Sequence, residues 1–179
     1  MKLKIEVKRT SDNVSLPKVI KKGDWVDLRS ANTINLKAPQ AGTLKKYKVN
    51  GIETSSRDVT FNYALIPLGI AMKLPKGFEA VVLPRSSTYK NFGIIQTNHM
   101  GVIDNSYCGD NDEWKYPVVA MRNTVINVDD KICQFRIQLS QKATVWQKLK
   151  WLFCSGIKLV EVNKLNNSNR GGLGSTGIK

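Results

Sequence analysis

The chain is poor in the residues from which most metal and nucleophile sites are built. Its 179 residues include one histidine, His99, and three cysteines, Cys108, Cys133 and Cys154. The histidine stands in no His-x-Glu pattern and the cysteines in no Cys-x-x-Cys, which excludes zinc-deaminase chemistry. Widely spaced cysteines in odd number match no zinc spacing and point to reduced thiols, hence to a cytoplasmic setting. No run of about 18 apolar residues occurs, so no membrane-spanning helix is expected. The opening MKLKIEVKRT lacks the apolar centre of a secretory signal. Acids are scarce: 14 Asp and Glu against 28 Lys and Arg leave a net charge of +14. That surplus suits an anionic partner, whether nucleotide, nucleic acid or acidic protein, and equally suits a surface that is merely basic.

What is present reads as one β-rich domain over residues 1–162 and a glycine-rich arm over 163–179. Residues 2–8 alternate Lys-Leu-Lys-Ile-Glu-Val-Lys and predict a half-buried strand. In Trp25-Val26-Asp27-Leu28-Arg29-Ser30-Ala31, Asp27 either faces a site or sits at a strand edge. Residues 32–62 are polar and turn-rich, and predict short strands separated by loops. The apolar stretch 64–74 is broken by Pro67 and Gly69. Phe78 to Leu83 predicts a strand that runs into Pro84-Arg85-Ser86-Ser87-Thr88. A guanidinium, two hydroxyls and free backbone N–H groups at a strand end suit an anion. A helix N-cap is the other reading of Ser86 and Ser87, and the two are compatible. Tyr89 to Phe92 predicts a short helix ended by Gly93.

The most informative stretch is Asn98 to Gly109, NHMGVIDNSYCG. Val and Ile favour extended backbone, while Gly, Asn and Ser favour a bend. The result is a hairpin or arch that brings a carboxylate, Asp104, near a phenol, Tyr107. Such a unit offers a base, a ring and backbone groups for a flat ligand, although an ordinary strand end with a solvated Asp has the same residues. Asp110-Asn111-Asp112-Glu113 lacks the glycine and the ligand spacing of a calcium loop and reads as a solvated turn. From Lys131 to Leu139 the alternation puts Cys133, Phe135 and Ile137 on one face and Gln134, Arg136 and Gln138 on the other, so Gln134 lines a polar pocket or an exposed strand face. Residues 144–154 predict a short helix whose stripe of Val145, Leu149, Leu152 and Phe153 docks on the body of the protein. A last strand follows at 157–162. The tail carries Asn169-Arg170-Gly171-Gly172-Leu173-Gly174-Ser175-Thr176-Gly177, too polar to pack a core and expected to be mobile until a ligand orders it.

The ordered set WVDLRSA, LPRSS, NHMGVIDNSY, DKICQFRI and RGGLGSTG resembles the five motifs of the trimeric dUTPase family, the deoxyuridine triphosphate nucleotidohydrolases. It is most similar to the phage and Gram-positive branch. The resemblance implies a jelly-roll-like distorted β-barrel in a homotrimer, with sites at subunit interfaces. It also implies cleavage of dUTP to dUMP and pyrophosphate with Mg2+, which limits uracil in DNA. By the same resemblance Asp104 is the general base and holds the sugar 3′-hydroxyl, Tyr107 stacks on the deoxyribose, and Asn98 and Gly101 belong to the segment that reads uracil. Gln134 helps hold the attacking water. Arg85, Ser86 and Ser87 bind phosphates, and Asp27 meets the metal through water. Arg170, Gly171, Gly172, Leu173, Gly174 and Ser175 close over the triphosphate.

Several positions depart from the family pattern. Ser106 and Cys108 stand where an acid and often an arginine are usual, and Leu173 stands where a phenylalanine normally covers the base. Leucine covers by dispersion and cannot stack. The related dCTP deaminases share the fold, so a deaminase or a bifunctional enzyme is an alternative. A non-enzymatic module binding a regulatory protein or nucleic acid is another, although nothing in the motifs requires nucleic acid.

Overall fold

Leu3, Ile5 and Val7 are buried on one face of the first strand, which packs that face into the core. The computed structural model describes residues 1–172. In chain order the elements are β1 (Leu3–Arg9), β2 (Val26–Arg29), β3 (Ile34–Leu36), β4 (Gln40–Val49), β5 (Ile52–Thr60), β6 (Asn62–Pro67), β7 (Ile70–Lys73), β8 (Phe78–Pro84), α1 (Thr88–Phe92), β9 (Ile94–Gln96), β10 (Gly101–Ile103), β11 (Lys115–Ala120), β12 (Thr124–Ile126), β13 (Lys131–Leu139), α2 (Val145–Leu152) and β14 (Ile157–Glu161). They form sheets ordered β14-β1-β7, β10-β8-β13-β2 and β6-β11-β9, with two-stranded pairs β12-β3 and β4-β5. The expected all-β class holds, with separate sheets and no closed barrel among the described residues.

The core lies between these sheets. Cys133, Phe135 and Ile137 are buried as their alternation predicts. Phe135 meets the fully buried Trp114 edge-to-face, ring centroids 5.3 Å apart. The short helix α1 ends at Gly93 as expected, with Gly93 at φ 61° and its N–H bonded to the Tyr89 carbonyl. All three cysteines are free thiols.

Two expectations are corrected. Residues 40–60 are not short strands but one long antiparallel hairpin, exposed at every strand residue except Thr54. Asn50 and Gly51 both take positive φ, 51° and 82°, which fits a two-residue turn whose twist matches its strands. The ribbon has no buried face, so it carries no apolar alternation to be read. Helix α2 is capped as a capping box, with Thr144 and Gln147 bonded reciprocally. Its stripe of Val145, Leu149, Leu152 and Phe153 faces solvent, with Val145 69% and Leu152 74% exposed. The helix instead touches the body through Trp151, whose ring lies 5.3 Å from Phe78. Of the hairpin and the arch that the sequence allows, the structure has the arch: β10 pairs with β8 while β9 pairs with β11, so the 97–100 bend joins two sheets.

Removing the ring at the centre of the core tests this packing. Phe135→Ala should lower the unfolding free energy by about 3–5 kcal/mol, read from urea denaturation, because the surrounding strands cannot collapse onto the space.

Candidate active site

The arch from β9 to β10 sets the site. Gln96 is buried at its start and donates from Nε2 to Asn98 Oδ1 at 2.7 Å and to the Val82 carbonyl at 3.2 Å. The first of these bonds takes up Asn98 Oδ1, and among the described residues its Nδ2 makes no hydrogen bond. Beside it lies a cavity of about 180 Å³ whose walls include Asn98, Gly101, Asp104, Tyr107, Trp114 and Arg170. Gln96 Oε1, Trp114 Nε1 and Tyr116 OH are buried without a partner among the described residues, and all three side chains line this cavity. Polar groups left unpaired at a cavity wall are costly unless something placed there uses them.

Asp104 follows β10 at the rim. Its Oδ1 accepts from the Ser106 N–H at 2.7 Å and from the Ser106 hydroxyl, and its Oδ2 accepts from Arg170 Nη1 at 2.7 Å. Partial burial pushes this carboxyl up, but the Ser106 and Arg170 donors outweigh it and hold the group below its usual value. Tyr107 is bonded through its hydroxyl to the Glu113 carbonyl at 2.9 Å, which fixes the plane of the ring. Burial, with the nearby charges of Asp112 and Glu113, pushes its phenol up. Asp104 and Tyr107 are therefore brought together as the sequence indicates.

The segment after Tyr107 is not a solvated turn. Asp112 is only 1% exposed. Its carboxylate accepts from the N–H groups of Gly109 at 2.8 Å, Arg170 at 3.0 Å and Gly171 at 3.1 Å. Asp110 accepts from the Leu165 N–H at 2.9 Å, and Asn169 Oδ1 accepts from the Asn111 N–H at 2.8 Å. Leu165 is buried, so the tail up to Gly172 lies against the body, where composition alone suggested a mobile arm. Composition hid this because the arm is held by backbone N–H groups, which every residue but proline carries. Only an acid bracketed by Gly109 and Trp114 hinted at a buried carboxylate. Arg170, Gly171 and Gly172 are thus near the cavity, while Leu173, Gly174 and Ser175 lie outside the described residues.

A second cluster stands apart from the cavity. Arg85 Nε bonds Asp27 Oδ1 at 2.7 Å, and Lys131 Nζ reaches Asp27 Oδ2 at 2.9 Å. Lys131 is a member that the sequence reading missed, and it is set there by the pairing of β13 with β2. Gln134 opposes Asp27 in that pairing and donates from Nε2 to the Pro84 carbonyl at 3.1 Å. It lines this cluster and not the cavity. Ser86 and Ser87 follow Arg85. Ser87 occupies the N-cap of α1 without a side-chain cap bond, and Thr88 instead accepts from the Arg85 N–H and donates to the Ile132 carbonyl. Among the described residues no three His, Cys, Asp or Glu side chains converge as a metal cage. Asp27 is the one carboxylate of this cluster, and both its oxygens are paired, with Arg85 and with Lys131.

With fold and site in place, the comparisons converge. The dUTPase family model matches residues 54–177. Over 177 residues the chain is 42% identical to the SPbeta prophage-derived deoxyuridine 5'-triphosphate nucleotidohydrolase of Bacillus subtilis strain 168, covering 99% of this chain and 100% of that one. In fold it is similar to the dUTPase of Streptococcus mutans, with a TM-score of 0.57 at 19% identity over 76% of this chain and 93% of that chain. It is also similar to a mutant dUTPase from phage phi11 of S. aureus that coordinates a structural Mg(II) ion, with a TM-score of 0.57 at 16% identity over 79% of this chain and 94% of that chain. Matched in sequence along nearly its whole length and in fold along most of it, the chain belongs to the dUTPase family.

Proposed function

We propose that this chain hydrolyses dUTP to dUMP and pyrophosphate in a site that the cavity beside Asp104 begins and a second copy of the chain completes. What carries the reading is the rim of that cavity: an ionised carboxylate, a fixed aromatic ring and an arginine converge within one short segment and the arm laid over it. Uracil enters under the arch, against the free Asn98 amide and the backbone around Gly101. The Tyr107 ring packs on the deoxyribose and leaves no room for a 2′-hydroxyl. Asp104 holds the 3′-hydroxyl and takes a proton from the water that attacks the α-phosphorus, while the bond to pyrophosphate breaks. Arg85, Ser86 and Ser87 bind phosphate oxygens, and Gln134 orients the water. Arg170 to Ser175, with Leu173 over the base, close the site and exclude solvent.

Mg2+ fits beside Asp27 as a companion of the triphosphate and, when bound, neutralises its charge. Asp27 also holds Arg85 in place through their ion pair, which supports the phosphate-binding side chain from behind. The cluster of Asp27, Arg85, Lys131 and Gln134 is not on the cavity wall of its own chain. A homotrimer in which one chain offers the cavity and another the cluster unites the two halves. The basic surplus of the chain assists capture of a polyanionic substrate and of any acidic regulatory partner.

Asp104→Asn should fold normally and lose about 10²–10⁴-fold in kcat, since an amide accepts no proton. Because Ser106 and Arg170 hold the carboxyl low, the acid limb of kcat/KM should lie below the usual carboxylate range. Ser106→Ala removes the hydroxyl donor that favours the charged form and keeps the backbone N–H, so that limb should move to higher pH. Normal turnover by Asp104→Asn in a pyrophosphate-release assay removes the base from the mechanism.

Tyr107→Ala should narrow the ratio of specificity constants for dUTP over UTP, because the wall against a 2′-hydroxyl is gone. An unchanged ratio assigns sugar selection elsewhere.

Mixing subunits tests the shared site. Asp104→Asn and Arg85→Ala should each be nearly inactive, yet co-refolded mixtures should regain activity through sites whose cavity and cluster both come from unaltered residues. Mixtures no more active than either parent place the whole site within one chain.

A further inference from the structure

We propose that Asp112 is a positioning residue whose buried carboxylate seats the C-terminal arm, so that Arg170 is delivered to the cavity rim. The carboxylate is almost fully withdrawn from solvent, and no side-chain cation pairs with it among the described residues. Its partners are backbone N–H groups: Gly109 from its own loop, and Arg170 and Gly171 from the arm. A buried charge is tolerated only where donors satisfy it, and here the arm contributes two of the three donor groups. Arm and loop are therefore interdependent. With the arm lifted, Asp112 is left with the Gly109 N–H alone among these partners, in a pocket built for more.

Steric fit supports the same seat from the other side. A Cβ added at Gly109 would lie 2.5 Å from Asn169 Cα and 2.7 Å from its nitrogen. Only a residue without a side chain lets the arm backbone come this close. Asn169 Oδ1 closes the contact on the Asn111 N–H at 2.8 Å. Further along, a Cβ at Gly172 would stand 3.0 Å from the Tyr107 ring, so the arm leaves its seat directly over that ring. The seat lies on the arm's own chain. It sets Arg170 within 2.7 Å of Asp104 by fixing the arginine's backbone, not its side chain.

The seat is tested without reference to turnover, through the trypsin-sensitive bond between Arg170 and Gly171. In the wild-type chain the seated arm should be cut slowly, with release of residues 171–179 followed by mass spectrometry. Asp112→Asn turns one acceptor into a donor facing N–H groups, and Gly109→Ala drives a methyl into Asn169. Each should speed that cleavage by about tenfold or more, since cleavage tracks the population of the lifted arm. The Gly109→Ala variant leaves the carboxylate intact and so answers for Asp112→Asn should the latter unfold. Cleavage as slow as wild type in Gly109→Ala and in a folded Asp112→Asn overturns the seat. The consequence for catalysis rests on the dUTP reading above: both variants should lose kcat on dUTP while their unfolding midpoints stay close to wild type. Absence of dUTP hydrolysis by the wild-type chain would sink that reading, while the cleavage rates would still decide the seat. A fall in kcat without faster cleavage overturns positioning through the arm.

Discussion

The register of β8 is the constraint on which the site depends. Val82 faces Gly101 of β10 on one side and Phe135 of β13 on the other. Leu83 faces Gln134, and Pro84 faces Cys133. A slip of one residue along β8 would turn Val82 out of the core and move Gly101 off its partner, because side chains alternate faces with a period of two. The strand therefore carries the arch on one edge and, through β13, the Asp27 and Arg85 cluster on the other. Burial of Ala80, Val82 and Phe135 enforces that register, so apolar packing far from any substrate fixes where Asp104 and Arg85 stand.

Charge is distributed to the same end. Asp27, Asp104, Asp110 and Asp129 each sit in an ion pair with lysine or arginine. Exposed pairs of this kind contribute little to stability. Their effect is on geometry: Asp27 aims the Arg85 guanidinium, and Asp104 restrains Arg170. With acids so few, lysines such as Lys46 and Lys48 on the β4–β5 ribbon contribute a field that favours anions without selecting among them.

Sequence reading works where a physical signal is local. The alternation of Cys133, Phe135 and Ile137 survives intact because one face is buried, and α1 stops at Gly93 because the chain there needs a left-handed residue. The ordered motifs identify the family for the same reason, since each is a short run with its own chemistry. What escapes is whatever depends on partners distant in sequence. Asp112 looks like a surface acid until the arm, nearly sixty residues on, folds over it. The stripe on α2 is a genuine helical pattern, yet the contact is made by Trp151, and pattern alone does not say which face meets the body. The β4–β5 ribbon lacks a buried face altogether, so its only local signal is the Asn50-Gly51 turn.

The pairing of Arg170 with Asp104 then acquires a chemical meaning. A lone carboxylate holds the guanidinium in the structure, and a triphosphate offers that guanidinium a denser anion and more acceptor oxygens. Should dUTP bind as proposed above, its phosphates would compete with Asp104 for the Arg170 side chain, whose backbone N–H is bonded to Asp112. Arg170 is one of the donors that hold the Asp104 carboxyl low, so its departure would raise the basicity of that group. The Ser106 N–H and hydroxyl are the other donors on that carboxylate. On that reading one arginine would restrain the carboxylate in the empty site and leave it when phosphate arrives. Such an exchange would need the arm backbone fixed and the Arg170 side chain free to turn, which the bonds from Asp112 to the backbone N–H groups of Arg170 and Gly171 allow.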